Sequence, residues 1–204
     1  MMSVVHHIWI GPQPIPELAR ECLLSWRKYQ PGWDQIIWRD EDVFNLPLTG
    51  ELCRGFQSFP VFASDIARAE IVFNHGGFYA DCDIELLRPV DFFLESGGPV
   101  VGKRVNYRKP SKNGAVGFFF GFPAGHPFLK KTIEHFRGLV PTLEEGFPYK
   151  PERNGIDGFW QDNLPPSIPF QWLANFRGSL LGKKTFMFAR EELFAIHHLM
   201  GSWK

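Results

Sequence analysis

The sequence predicts one α/β domain of the Rossmann type, with a mostly parallel central sheet flanked by helices, and three observations carry that prediction. The chain opens with a strand, a helix and a strand, the unit from which parallel sheets are built. A second apolar helix stops at Gly76-Gly77, the usual terminating signal, and leads directly into a short strand. That strand ends in Asp81-Cys82-Asp83, and open α/β sheets bind ligands beyond the carboxyl ends of their strands. At 204 residues the chain holds one such domain with a sizeable core, so residues 1–204 are read as a single domain.

Taken in order, Val4 to Ile10 is short and rich in β-branched residues, a buried strand closed by Gly11-Pro12. Pro16 opens a helix at its first turn, where its missing N–H is harmless. Leu18, Cys22 and Trp26, with Ala19 and Leu23, recur at helical spacing until Pro31-Gly32. Gln35 to Trp38 is the second strand. Residues 45–60 carry few periodic apolar positions and read as an irregular connection. The next helix starts near Ser64, with Ser64 or Asp65 as its cap and Ile66, Ala69, Val72 and Phe73 inward. Phe78 to Ala80 follows as a strand, then Gly117 to Phe122. A helix from Pro127 to Val140 places Phe128, Thr132 and Phe136 on one face, beside Leu129 and Ile133. Residues 141–168 are rich in Pro and Gly and predict a long, mobile surface excursion. Thr185 to Phe188 is strand-like, and Ala195-Ile196-His197-His198 closes the pattern.

Composition narrows the class. Hydrophobic residues form 44% and charged residues 22%, which excludes disorder. The 21 Phe and 7 Trp either thicken the core or supply platforms under bases and sugar rings. Lys plus Arg equals Asp plus Glu, 22 each, whereas a nucleic-acid binder shows a basic excess. The basic cluster of Lys103, Arg104, Arg108, Lys109 and Lys112 reads as a solvated loop, with phosphate contact as its alternative. Cys22, Cys53 and Cys82 show no CxxC spacing and suit a reducing compartment. No signal peptide and no run of about 20 apolar residues is visible, so a cytoplasmic enzyme is expected, with no transmembrane segment and with peripheral membrane contact left open.

The chemistry gathers at Asp81 and Asp83. In extended conformation alternate side chains share a face, so both carboxylates would point one way and Cys82 into the protein. Two such carboxylates repel unless a hard cation such as Mn²⁺ or Mg²⁺ sits between them, where it also accepts diphosphate oxygens. The alternative is a polar turn with no ligand. Asp65 and Arg68 lie three residues apart on one helix face and could form a bridged pair, in the plainest case a salt bridge on the helix surface.

The chain resembles glycosyltransferase family 32, whose sugar-binding region contains a DXD motif, and is more distantly similar to the glucosylating domain of large clostridial toxins. The resemblance rests on Val5-His6-His7-Ile8-Trp9-Ile10-Gly11, Ala63-Ser64-Asp65-Ile66-Ala67-Arg68 and Gly76-Gly77-Phe78-Tyr79-Ala80-Asp81-Cys82-Asp83. Gly125-His126-Pro127, Ala195-Ile196-His197-His198 and Gly201-Ser202-Trp203 continue it in order. It implies a GT-A fold, a UDP- or GDP-sugar donor, Mn²⁺ or Mg²⁺, and retention of anomeric configuration. The acceptor would be a glycan, a lipid-linked group or another carbohydrate. Ile8 and Trp9 would border the base, and Asp65 and Arg68 would hold the donor sugar and phosphate oxygens, acting with Asp83 as the catalytic set. Tyr79 would approach the ribose or phosphate, or serve the core. Asp81 and Asp83 would bind metal with His197, whose competitor is His198. Ser202 and Trp203 would close over the leaving diphosphate as a lid, with permanent packing of Trp203 as the alternative. His6 matches an early family histidine and is equally explained as a hydrogen-bonded strand residue. Residues 141–168 lack a clear Gly-Pro phosphate-contacting pattern. A transferase-like module that binds sugar nucleotide without turnover is the rival reading.

Overall fold

The computed structural model describes residues 3–95, 98–104, 115–139, 155–165, 171–180, 183–189 and 193–200, with 103–104, 171–180 and 183–189 described by backbone alone. Strand β1 (Val4–Ile8) is buried along its whole length. It runs parallel to β2 (Asp34–Trp38) on one side and to β3 (Gly77–Ala80) on the other. A strand covered on both faces needs a continuous apolar run, and Val4, Val5 and Ile8 supply one. Helix α1 (Glu17–Tyr29) makes the crossover between β1 and β2, burying Ala19, Cys22, Leu23 and Trp26. Pro16 sits at its N-cap, one residue before the helix proper.

After β2 come two short helices, α2 (Asp40–Phe44) and α3 (Gly50–Gly55). The second corrects the expectation of an irregular connection over 45–60. Its entry is tied to α4 (Pro60–His75), where the fully buried Glu70 carboxylate accepts from the Leu48 N–H at 2.9 Å and the Thr49 hydroxyl at 2.6 Å. Helix α4 also starts earlier than Ser64. Pro60 occupies its first turn, so Ser64 and Asp65 lie inside the helix and cap nothing. Every residue from Phe62 to Val72 is buried, the pattern of a helix packed all round rather than along one stripe.

Strand β4 (Ile84–Leu86) follows β3 after a three-residue turn, and α5 (Phe92–Glu95), β5 (Val100–Arg104) and β6 (Ala115–Phe122) come next. Helix α6 (Pro127–Gly138) buries Phe128, Leu129, Thr132, Ile133 and Phe136, as its periodicity predicts. Helix α7 (Ile156–Asn163) corrects the surface excursion expected over 141–168. Its Trp160 is wholly buried and donates its indole N–H to Thr132 Oγ1 at 3.0 Å, so this part of the segment belongs to the core. Residues 141–154 and 166–168 lie outside the described residues. Strands β7 (Gln171–Leu180), β8 (Lys183–Ala189) and β9 (Leu193–His197) complete the sheet.

The described strands form one sheet in the order β2-β1-β3-β6-β5-β7-β8-β9-β4. Its β2-β1-β3 portion is parallel, as the opening β-α-β unit requires, and so is β5 with β7. The other neighbours are antiparallel. Strand β4 leaves β3 yet ends at the far side of the order, beside β9, so the sheet curls. Helix α1 seats β4 there: Trp26 donates its indole N–H to the Ile84 carbonyl at 2.9 Å, and the Leu86 N–H donates to Ser25 Oγ at 2.8 Å. No helix among the described residues is long and apolar enough to cross a membrane.

Two adjacent histidines bracket β3. His6 Nε2 lies 3.0 Å from the Gly76 carbonyl while its Nδ1 accepts from the Trp38 indole at 3.2 Å. His7 is the mirror case, with Nδ1 2.8 Å from the Ala80 carbonyl and Nε2 3.2 Å from the Gln35 side-chain amide. Each ring thus uses both nitrogens as a neutral imidazole, one donating and one accepting. Burial is the main cause of lowered basicity, taking His6 to about 4 and His7 to about 3. In the unfolded chain both protonate near 6.5. The unfolded state therefore binds more protons below that pH, and stability present at pH 7 is lost as pH falls from about 6.5 toward 4, by about 1 kcal/mol per pH unit for each histidine. Melting temperature should fall steadily from pH 7 to pH 5, and a His6→Gln, His7→Asn variant, which keeps both donors, should show a shallower slope. An unchanged slope would assign the acid sensitivity to other groups.

Candidate active site

The site is built at the carboxyl end of β3. The chain enters β3 through Gly76 and Gly77, whose φ angles of 67° and 86° lie in the left-handed region open to glycine. A Cβ on Gly77 would stand 2.3 Å from Val4 Cγ1, so β1 and β3 approach only because that position has no side chain. At the other end, the Asp81 N–H donates to the Phe118 carbonyl of β6 at 3.0 Å. The Ile84 N–H then returns to the Asp81 carbonyl at 3.1 Å, so Asp81-Cys82-Asp83 is a turn and not an extended segment. The acids still converge, and Cys82 still points inward, its thiol 3.2 Å from the Ile8 carbonyl.

Arg68 lies beneath this turn. Its side chain is only 6% exposed, and Asp65 beside it 8%, which excludes a solvated surface pair. The guanidinium meets Asp65 Oδ1 at 3.0 Å and Asp81 Oδ1 at 3.4 Å. It also donates to the Ser64 carbonyl at 3.1 Å, to Ser64 Oγ at 2.8 Å and to the Gly117 carbonyl at 3.0 Å. Its carbon stands 4.5 Å from the centre of the Tyr79 ring. The planar fork of arginine suits this many fixed acceptors, and lysine does not.

His197 completes the cluster from the distant end of the chain. Strand β9 pairs with β4 so that His197 is registered opposite Ile84, the residue after Asp83. Its Nε2 then lies 3.1 Å from Asp83 Oδ1 and 3.8 Å from Asp81 Oδ2. The outer carboxylate oxygens are held elsewhere: Tyr79 OH donates to Asp81 Oδ1 at 2.7 Å, and the Met200 N–H to Asp83 Oδ2 at 2.9 Å. His198 turns away and pairs with Glu85 Oε2 at 2.8 Å, so of the two histidines His197 is the one placed at the site.

The electrostatics follow from burial and proximity. Burial pushes the Asp81 carboxyl above its usual range, with Arg68 and His197 only partly offsetting it. Burial also acts upward on Asp83, but the His197 charge, its hydrogen bond and the Met200 N–H outweigh it and hold that carboxyl low. His197 is pulled down by burial and lifted further by Asp83 and Asp81, so its basicity is raised. These groups fit a divalent ion. One ligand atom from each of Asp81, Asp83 and His197 lies within 4.8 Å of the others, and two carboxylates with one imidazole are a donor set that suits Mn²⁺.

The remaining expected residues divide. Ile8 and Trp9 are buried beside the turn, Trp9 packing with Ala19 and Cys82 and donating its indole N–H to the Gln13 carbonyl at 2.8 Å. The loop that follows is pinned where the Gly11 N–H meets the Asp40 carboxylate at 3.0 and 3.1 Å. Tyr79 is buried under Arg68 and directed at Asp81. Ser202 and Trp203, and with them the expected lid, lie outside the described residues. Gly117, Phe118, Asp157 and Met200 were not anticipated. A glycine inside the aromatic run 117–120 is the one signal that could have marked a bulge there.

Fold and site together define a GT-A-like glycosyltransferase scaffold with its acidic pair at a strand end. Residues 16–98 match the family described as glycosyltransferase sugar-binding region containing DXD motif. Inositol phosphoceramide mannosyltransferase 1 of Schizosaccharomyces pombe is 30% identical over 147 residues, covering 65% of this chain and 41% of that protein. Inositol phosphoceramide mannosyltransferase 3 of the same organism is 25% identical over 151 residues, covering 72% and 40%. The chain thus spans well under half the length of these curated relatives. A solved structure described as PaToxG Glycosyltransferase shares the fold with a TM-score of 0.53 at 18% identity, covering 79% of this chain and 69% of that one.

Removing Arg68 would take away the buried cation that meets both Asp65 and Asp81. Arg68→Ala should therefore lower stability by about 3–5 kcal/mol, the range for breaking a buried ion pair, against under about 1 kcal/mol for an exposed one. Urea unfolding of the variant measures this directly.

Proposed function

We propose that the protein is a retaining, metal-dependent hexosyltransferase that moves a sugar, mannose in the first instance, from a nucleotide-diphospho-sugar to the headgroup of a lipid-linked acceptor. The observation that carries the reading is the convergence of Asp81, Asp83 and His197 beside the buried Arg68. The names of the two relatives support mannose and an inositol phosphate lipid as the pair to test first.

Asp81, Asp83 and His197 would hold Mn²⁺ or Mg²⁺, which when bound neutralises the charge that develops on a departing diphosphate. The protein's own part is to keep these ligands converged and their geometry dry. Tyr79 and the Met200 N–H hold the outer carboxylate oxygens, so the inner ones stay aimed at one point. Arg68, fixed by Ser64 and Gly117, offers a cation at the edge of the same point for the sugar or phosphate oxygens. Asp65 orients Arg68 and would hold the donor sugar with it. Ile8 and Trp9 would line the base, with Ser202 and Trp203 closing over the diphosphate. Retention by front-side transfer assisted by the leaving phosphate, and not through a carboxylate adduct, is what the resemblance to glycosyltransferase family 32 implies.

Purified protein with Mn²⁺ should release nucleoside diphosphate from one member of a panel of UDP- and GDP-sugars that includes GDP-mannose. Asp83→Asn should keep the fold and cut that turnover about a hundredfold, the scale for losing one positioned electrostatic group, and EDTA should do the same. Full turnover in EDTA would refute the metal-dependent reading. Donor binding without turnover would favour the binding-module alternative.

A further inference from the structure

We infer that Asp157 of α7 is a positioning residue for the donor site, acting through a bulge in β6; the inference rests on the transferase reading above. Opposite the single step from Val101 to Gly102 in β5, strand β6 carries three extra residues, Gly117, Phe118 and Phe119. Bulges of this kind re-aim backbone and side chains, and they need support because the cross-strand ladder is broken there. Here the bulge addresses three site residues at once. The Gly117 carbonyl accepts from Arg68 at 3.0 Å, the Phe118 carbonyl accepts from the Asp81 N–H at 3.0 Å, and the Phe118 ring stands 4.6 Å from the His197 ring, centre to centre.

The support comes from α7. The Gly117 N–H, lifted out of the ladder, donates to Asp157 Oδ1 at 2.6 Å, a short charge-assisted bond. Sterics fix the same point, since a Cβ on Gly117 would stand 2.1 Å from Ile156 Cγ2. Helix α7 is in turn locked into the core by Trp160 and its bond to Thr132. Asp157 thus meets the bulge through the Gly117 N–H. It holds the peptide from which Arg68 and Asp81 take their positions. Misplacement of a site group by about 1 Å can cost about a hundredfold in rate, so the effect of losing this clamp falls on donor handling.

The test compares wild type, Asp157→Ala and Asp157→Asn, because asparagine keeps an acceptor oxygen for the Gly117 N–H and alanine does not. Calorimetric affinity for Mn²⁺ plus nucleoside diphosphate should drop about tenfold in Asp157→Ala and donor turnover about 10–100-fold, with Asp157→Asn restoring both to within about threefold of wild type. The loss should shrink when Arg68 is already Lys, since coupled residues are not additive. If Asp157→Ala does not fold, Asp157→Ser, whose hydroxyl stops short of Gly117, takes its place. Wild-type affinity in the alanine or serine variant overturns the inference. So does a loss that asparagine fails to rescue, or one of equal size in the Arg68→Lys background. A wild type that neither binds nor turns over any nucleotide sugar defeats the transferase reading itself.

Discussion

The site depends on compensating negative charge inside the protein. Asp65, Asp81 and Asp83 are taken largely out of water within one helical turn and one β-turn of each other. Isolated, each would be too costly to keep ionised. Arg68 meets Asp65 and offsets part of the cost at Asp81, and His197 faces both Asp83 and Asp81, so the cluster is assembled only where a helix, a strand turn and a distant strand meet. The packing around it reads as service to that meeting. Glycines at 76 and 77 let β3 approach β1, and the two histidines of β1 clasp both ends of β3.

A good part of this was legible in the residues. The β-α-β opening, β6 and α6 announced themselves because their apolar residues follow a single period and end at Gly or Pro. Asp81 and Asp83 were legible as a pair, although the reason first expected, an extended strand, is replaced by a turn. The i, i+3 spacing put Asp65 and Arg68 together. It could not reveal that Asp81 lies against the same guanidinium, because that contact is made in three dimensions.

What was missed has physical causes. Helix α4 is buried on all sides, so it has no stripe to mark its start, and Pro60 was the better signal. Helix α7 contains a glycine and follows a Pro- and Gly-rich stretch, so local composition pointed to a loop while Trp160 was deciding otherwise. Strand β4 has three residues, too few to show alternation. His197 entered through resemblance, since no spacing links it to Asp83; the link is the register of β4 on β9.

That register has a consequence for how the molecule acquires its chemistry. His197 and Asp83 are far apart along the chain, and pairing β4 with β9 closes a loop that contains β5, β6, β7 and β8. Loop-closure entropy must be met before such distant contacts can reward it, so ladders of this kind form late. A partly folded chain lacks the complete Asp81, Asp83 and His197 cluster, whose assembly marks arrival at the native state.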